Sequence, residues 1–379
     1  MKKIVTLCFI ALASTAFCQE LTLEEIKTEA DHLINNYQFE KALMLLQQGS
    51  DSTDVGICNR KGICYSRLGN YPQAIEQFEI ILNSDSLNRS ILHQLGQLYA
   101  RNNQYNRAKD CFQTLIHSDS TNSYYYKQYA SIAAQVDDFV SATVYYQQAI
   151  KLNPRDIESY VSLGNILIED EQYALADTLL TQGLNYTNHP QVSVLLAKAQ
   201  FGAEKYEDVI KLVNLMLLRG DTTVVYARLL GISYFQMDQY ENVLPCMQFL
   251  LNEKVSADWV YYYSGVSLQQ TGKPDEAVWY LNKAIDESIS DNISTYYTQL
   301  ASAYEEVKDF KSAIKYYKAA YESSKSDILL YHLARNYDVY YKDKSQAIAY
   351  FKKYLSSDDT IKIAKEYTRQ RLDQLSNLR

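Results

Sequence analysis

Glycine and proline are scarce in this chain, at 12 and 5 of 379 residues, about 4.5% together where globular proteins average about 12%. So few backbone punctuators exclude a fold built on tight hairpins and leave a mostly helical one. Positive charge is short as well. Lys and Arg number 37 against 45 Asp and Glu, a formal net charge of −8 and a sequence pI of about 5.3, which argues against the clustered cationic surface that grips nucleic acid. After the first 18 residues no apolar run reaches 18, so no later stretch spans a bilayer as a helix. The motifs GxGxxG, GxSxG, HExxH and GxxxxGK followed by Ser or Thr are all missing, so phosphate cradles and hydrolase elbows are unsupported. The five histidines, His32, His93, His117, His189 and His332, lie far apart in the chain. With no Cys/His cluster, neither a metal centre nor a cofactor is expected.

Enough apolar material is present to fold. The chain is 47% hydrophobic and 22% charged, inside the globular range and away from the disordered one. Its start reads as a secretory signal over residues 1–18: Lys2 and Lys3, then an apolar or small run from Ile4 to Phe17, too short for a membrane helix. Ala16 and Cys18 fit the small positions of a cleavage site before Gln19. An acylated Cys18 is the minority alternative, because Phe17 is bulkier than the small residue that precedes a lipidated cysteine. Removal of 18 residues leaves 361, with 35 basic and 45 acidic side chains, a net charge of −10. An exported, periplasmic protein is expected.

Four cysteines survive that cleavage: Cys58, Cys64, Cys111 and Cys246. Cys58 and Cys64 are six apart, about 9 Å of helical rise against a limit of about 7 Å for a disulfide. Cys64 with Cys111 is the one bridge left to check. Otherwise the cysteines read as small apolar residues in helix interfaces.

The few glycines are not scattered. Gly62, Gly96, Gly164, Gly231 and Gly265 fall 34, 68, 67 and 34 residues apart, and Ala30, Ala130, Ala197, Ala301 and Ala334 fill the missing beats. About twelve residues later comes a second small column: Ala42, Ala74, Ala108, Ala142, Ala176, Ala277, Ala313 and Ala347, broken by Val209 and Val243. Four residues beyond stands a large apolar one: Leu46, Phe78, Phe112, Tyr146, Leu180, Val213, Met247, Leu281, Tyr317 and Phe351. Apolar residues at steps of three and four predict one inward face per helix. The small residues then mark where two antiparallel helices cross closely. Polar stretches such as Asn102-Asn103-Gln104 and Gly272-Lys273-Pro274 supply the turns, while Ser84-Asp85-Ser86 and Asn153-Pro154 separate the units.

These residues resemble the tetratricopeptide repeat. Tyr160, Leu163, Gly164 and Ala176 fit its signature, as do Leu95, Gly96, Tyr99, Ala108 and Phe112, and Tyr126, Ala130, Ala142, Tyr146, Ala149 and Pro154. The resemblance implies an all-α, right-handed solenoid of about ten helix-turn-helix repeats over residues 19–357, least regular at the first, sixth and tenth. Residues 358–379 carry a charged C-terminal helix suited to capping its open end. Val209 and Val243 at the second crossing, with Pro245 nearby, predict a bend or looser junction in repeats six and seven.

Paired acids such as Glu24-Glu25, Glu305-Glu306 and Asp358-Asp359 read as solvated surface, since catalytic carboxylates must converge from separate elements. Most of the 35 tyrosines read as inter-helix packing. A solenoid offers instead an inner face lined by the first helix of each unit, at the positions three before, one after and four after the small residue. Repeats two to four contribute Asn59, Ser66, Arg67, His93, Gln97, Arg101, Lys127 and Gln135, polar with a basic lean. Repeats five to eight contribute Val161, Ile168, Val194, Phe201, Arg228, Ile232, Phe235, Trp259, Tyr262 and Val266. The last contribute Glu305, Glu306, Arg335 and Asp338, acidic on balance. A groove running from basic through apolar to acidic suits a protein or peptide partner, with aromatic anchors at its centre. The family's clamp for chaperone carboxyl termini is not expected, because Ser131, Ser162 and Gln191 stand where clamp residues belong around Lys127. The reading is a non-enzymatic scaffold binding a partner peptide or helix in the groove of a bacterial envelope complex. Its alternative is an accessory or regulatory subunit of an envelope enzyme or transporter, acting through its convex or end surface.

Overall fold

A computed structural model describes residues 21–49, 53–288, 292–358 and 361–376. The expected signal segment and Cys18 lie outside the described residues. Among those described there are twenty-one α-helices and no strand, and the helices alternate as the 34-residue period predicts. In the first half they are α1 (Leu23–Asn35) with α2 (Phe39–Leu46), α3 (Val55–Arg67) with α4 (Tyr71–Ser84), α5 (Arg89–Arg101) with α6 (Tyr105–Ser118), α7 (Ser123–Ala134) with α8 (Phe139–Leu152), and then α9 (Ile157–Glu169). The second half runs α10 (Tyr173–Thr187), α11 (Pro190–Gly202) with α12 (Tyr206–Leu218), α13 (Val224–Gln236) with α14 (Tyr240–Asn252), α15 (Asp258–Gln270) with α16 (Pro274–Glu287), α17 (Ile293–Glu306) with α18 (Phe310–Ser324), and α19 (Ile328–Tyr340) with α20 (Ser345–Leu355). A last helix, α21 (Lys362–Ser376), closes the chain.

Two compact units divide it, one up to Ile166 and one from Leu167. The boundary falls in the fifth repeat, and the looser junction is expected from sequence in the sixth and seventh. There Val209 and Val243 are fully buried at their crossings, and α14 runs on through Pro245.

Three hairpins close through the same contact. A Cβ built on Gly62 would lie 2.7 Å from Phe78, and one on Gly96 2.7 Å from Phe112; in the second unit Gly265 meets Leu281 at 2.7 Å. The small residue of one helix thus receives the large residue sixteen positions on. Phe78, Phe112, Tyr317 and Phe351 are almost wholly removed from water, at about 1.5–3 kcal/mol each.

Nine turns between successive helices are built on one backbone conformation; the one before α20 is not. Tyr37, Gly69, Asn103, Asp137, Glu171, Glu204, Asp238, Gly272 and Lys308 all have φ between 56° and 79°, spaced at nearly the repeat period. The next residue's N–H returns to a carbonyl five positions back, as in Gln104 to Tyr99 at 2.7 Å and Asp309 to Tyr304 at 2.9 Å. That bond satisfies a helix-end carbonyl and fixes where the second helix starts. First helices begin on capping side chains: Asp54, Asn88 and Asn122 accept the N–H groups of Ile57, Ile91 and Tyr124.

Helix α21 is anchored rather than merely solvating. Ala364, Thr368 and Leu375 are buried, and Arg371 holds the buried Asp338 of α19 at 2.6 and 3.3 Å. The four described cysteines are buried and outside any disulfide, so Cys64 and Cys111 form no bridge. Burial pushes both thiols up to about 11.

Candidate functional site

The expected groove residues are the side chains that first helices leave uncovered after packing. In the first unit, α3 and α5 enclose a cavity of about 370 Å3 lined by Ile63, Ser66, Arg67, His93, Gln94, Gln97, Leu98 and Arg101. Three expected residues, Arg67, His93 and Arg101, meet there, and no carboxylate lines the wall. Arg67 and Arg101 occupy equivalent places in the last turns of α3 and α5. Their charge suits the negative end of a helix, both are exposed, and neither forms an ion pair among the described residues. The wall between them is held in place. His93 Nε2 lies 3.2 Å from the Tyr124 hydroxyl, to which the Gln97 amide also donates at 2.9 Å. Burial holds the His93 imidazole below its usual pKa, which favours its uncharged form. Sequence offsets missed Gln94 and Tyr124, since neither sits at an expected groove position.

Lys127 behaves differently. Its ammonium donates to Glu158 at 2.8 Å and Asp156 at 3.2 Å, and its side chain is only 16% exposed. It ties α7 to the start of the next repeat instead of standing free in the groove.

In the second unit the apolar stretch is largely taken up by packing. Ile232 and Val266 are buried, which corrects the expectation that they line an open surface. Phe235 meets Tyr263 at 4.7 Å and Tyr240 at 5.5 Å, edge to face. Tyr262 lies 4.9 Å from Tyr296, and Phe201 5.7 Å from Tyr206. Arg228 sets its guanidinium 5.2 Å from the centre of the Trp259 ring, a cation–π contact that leaves Arg228 exposed and Trp259 half-buried. The reason is geometric: adjacent first helices are close enough for their large side chains to stack across repeats.

The expected acidic end is neutralised from within. Glu305 receives Arg335 at 3.1 Å, Asn336 at 2.9 Å and the Tyr317 hydroxyl at 3.2 Å. Burial and that carboxylate push the Tyr317 phenol well above its ordinary pKa. Glu306 accepts from Gln269 at 2.6 Å, and Arg335 lies 5.6 Å from the centre of the Tyr331 ring. Asp338 belongs to Arg371 and Lys344. Among the described residues no group of three or more His, Cys, Asp or Glu is placed to hold a metal ion.

Models of the tetratricopeptide repeat match residues 90–122, 145–178 and 294–327. The chain is a tetratricopeptide repeat protein. The matched stretches take in α5 with α6 and α17 with α18. No curated protein matches the chain. Among solved structures, it is similar to a tetratricopeptide repeat protein from Parabacteroides merdae, at 15% identity over 66% of this chain and 98% of that one, TM-score 0.43. It is similar to a chain of the Naa15/Naa10 complex bound to HypK, at 12% identity, 93% of this chain and 66% of that one, TM-score 0.47. A MamA protein from Desulfovibrio magneticus matches at 16% identity over 43% and 93%, TM-score 0.40.

Proposed function

We propose that this tetratricopeptide repeat protein is a non-catalytic scaffold that holds a partner polypeptide against its first helices, within an exported complex of a bacterial envelope. The observation that carries the reading is the cavity of Arg67, His93 and Arg101. Its two guanidiniums are free of internal partners, while Phe235, Tyr262, Lys127 and Glu305 are tied into the fold. Two like charges facing one cavity without a carboxylate leave donors and charge available to a ligand. The working surface therefore lies in repeats two and three, and the aromatic stretch of the second unit maintains the stack.

A second reading, an accessory subunit acting through its second helices, is favoured by one feature. Val140 and Val144 of α8 are 80% and 57% exposed, beside the exposed Phe139, an apolar strip without a cover in the first unit. A photo-crosslinking side chain placed at Gln94 and, separately, at Val140 tests the two in living cells. Adducts at Gln94 that disappear with Arg67→Ala and Arg101→Ala support the scaffold reading; adducts confined to Val140 would replace it with the second.

A further inference from the structure

Charge is unevenly placed along the chain. Residues 310–379 carry 14 basic and 8 acidic side chains, a net of +6, so residues 1–309 carry −14 of the total −8. Three carboxylates near this basic stretch are engaged by other partners, while Glu322 stands exposed one turn beyond Lys318 on α18. Asp338 is held by Arg371 and Lys344, Asp309 accepts the Ser312 N–H and Asp343 that of Ser345.

Four lysines are not matched in this way. Lys311, Lys315 and Lys318 follow one another at steps of four and three along a single face of α18, and Lys342 lies in the turn after α19; none has a carboxylate within ion-pair distance among the described residues. That turn is unlike the others in its register. Where the earlier repeats carry Asn103, Asp137 or Asp238, the tenth ends its first helix on Val339, Tyr340 and Tyr341, which are 61%, 44% and 43% exposed. Ring contacts join the two features into one surface. Tyr340 meets Tyr341 edge-on at 4.7 Å, Tyr341 stacks on Tyr337 at 5.3 Å, and the Lys318 ammonium lies 5.3 Å from the Tyr337 ring centre.

We propose that this edge of repeats nine and ten docks on an anionic lipid surface. Val339, Tyr340 and Tyr341 enter the headgroup layer while the lysines meet lipid phosphates around them. Tyrosines suit an interface whose one side is apolar and other wet, and lysines on flexible stems reach headgroups from beside it. An acidic polypeptide would answer the lysines but leave the apolar tip in water. No described helix is long and apolar enough to cross a membrane.

Co-sedimentation of the full chain with phosphatidylcholine vesicles, with and without phosphatidylglycerol, tests the proposal. Binding is expected to need the anionic lipid and to weaken with salt. The variant Lys311→Gln, Lys315→Gln, Lys342→Gln should bind about 100-fold less, at about fivefold per lysine. The variant Val339→Ser, Tyr340→Ser should weaken binding at every salt concentration and keep the lipid preference. All chains share the same amino-terminal segment, so differences between them report this edge, and unchanged circular dichroism shows that the variants fold. Equal binding to both vesicles, or a lysine variant that binds like the unsubstituted chain, would overturn the proposal. So would loss of polyglutamate binding in the lysine variant with vesicle binding untouched, which would assign the edge to an acidic polypeptide.

Discussion

Gly96 faces Phe112 so closely that a Cβ on it would stand 2.7 Å from the ring. That contact is the unit from which the first compact body is assembled, and it opposes ordinary helix propensity. In an open helix Gly→Ala stabilises by about 0.8–1.0 kcal/mol. Here the methyl must displace a fully buried aromatic ring, so the sign reverses: Gly96→Ala is expected to lower stability by about 1–3 kcal/mol. Phe112→Leu in the same chain should recover part of the loss. Urea unfolding of the two single variants and the double variant measures both effects, and a stabilised Gly96→Ala would disprove the close crossing.

Lys127 joins repeats rather than ligands. Its partner Asp156 is only 13% exposed whereas Glu158 is 72% exposed, so the two bonds differ in weight. Lys127→Met keeps the aliphatic stem and leaves Asp156 without its cation, at an expected cost of about 1–3 kcal/mol. Glu158→Gln should change stability by less than about 0.5 kcal/mol. Thermal melts of both variants separate the two.

Acid should weaken the protein through its helix starts. The Ile57 N–H holds the Asp54 carboxyl below its usual range, and the hydroxyl and N–H of Ser141 and Ser312 do the same for Asp138 and Asp309. A depressed carboxylate contributes stability that is complete above its unfolded pKa, about 3.9, and lost as pH falls through the lower folded value. The melting temperature is therefore expected to hold down to about pH 5 and to fall below about pH 4. Asp138→Asn with Asp309→Asn retains the caps and should flatten that fall, read from melts across the pH series.

Thiol chemistry should be silent until the chain unfolds. Burial pushes Cys64, Cys111 and Cys246 up to about 11, and the thiolate is the reactive form. At pH 8 the native protein should react with a thiol reagent only at its unfolding rate, and the four described cysteines should titrate together in denaturant. A mass shift on reduction alone would reveal a bridge such as Cys64 to Cys111.

Much of the fold was legible because it rests on side-chain size. Gly62, Gly96 and Gly265 pair with Phe78, Phe112 and Leu281 as the three columns require, and the alternation of helices with a closing one follows. The turns were not legible in the same way: Tyr37, Glu171, Glu204 and Lys308 adopt a left-handed conformation that their residue types do not advertise. The site was read in part. Arg67, His93 and Arg101 do converge, but an offset rule marks which side chains face the groove, not whether a neighbouring repeat has already claimed them. Lys127 and Asp156, or Glu305 and Arg335, are partners 29 and 30 residues apart in sequence, and only the stacking of hairpins brings them together. Phe235 and Tyr262 were likewise taken up by rings of adjacent elements.

The central claim is that partner binding resides in the arginine cavity of repeats two and three, while the aromatic residues of repeats seven and eight serve the fold. Affinity capture from an envelope extract, paired with a thermal melt of each protein, tests it most directly with two double variants. Arg67→Ala, Arg101→Ala should melt with the unsubstituted chain and lose the partner. Phe235→Ala, Trp259→Ala should melt earlier, by about 2–4 kcal/mol in stability, and below its melting point still capture the same partner. The reverse pattern, capture kept without the arginines and lost without the aromatics at unchanged stability, would contradict the account and return the binding surface to the second unit.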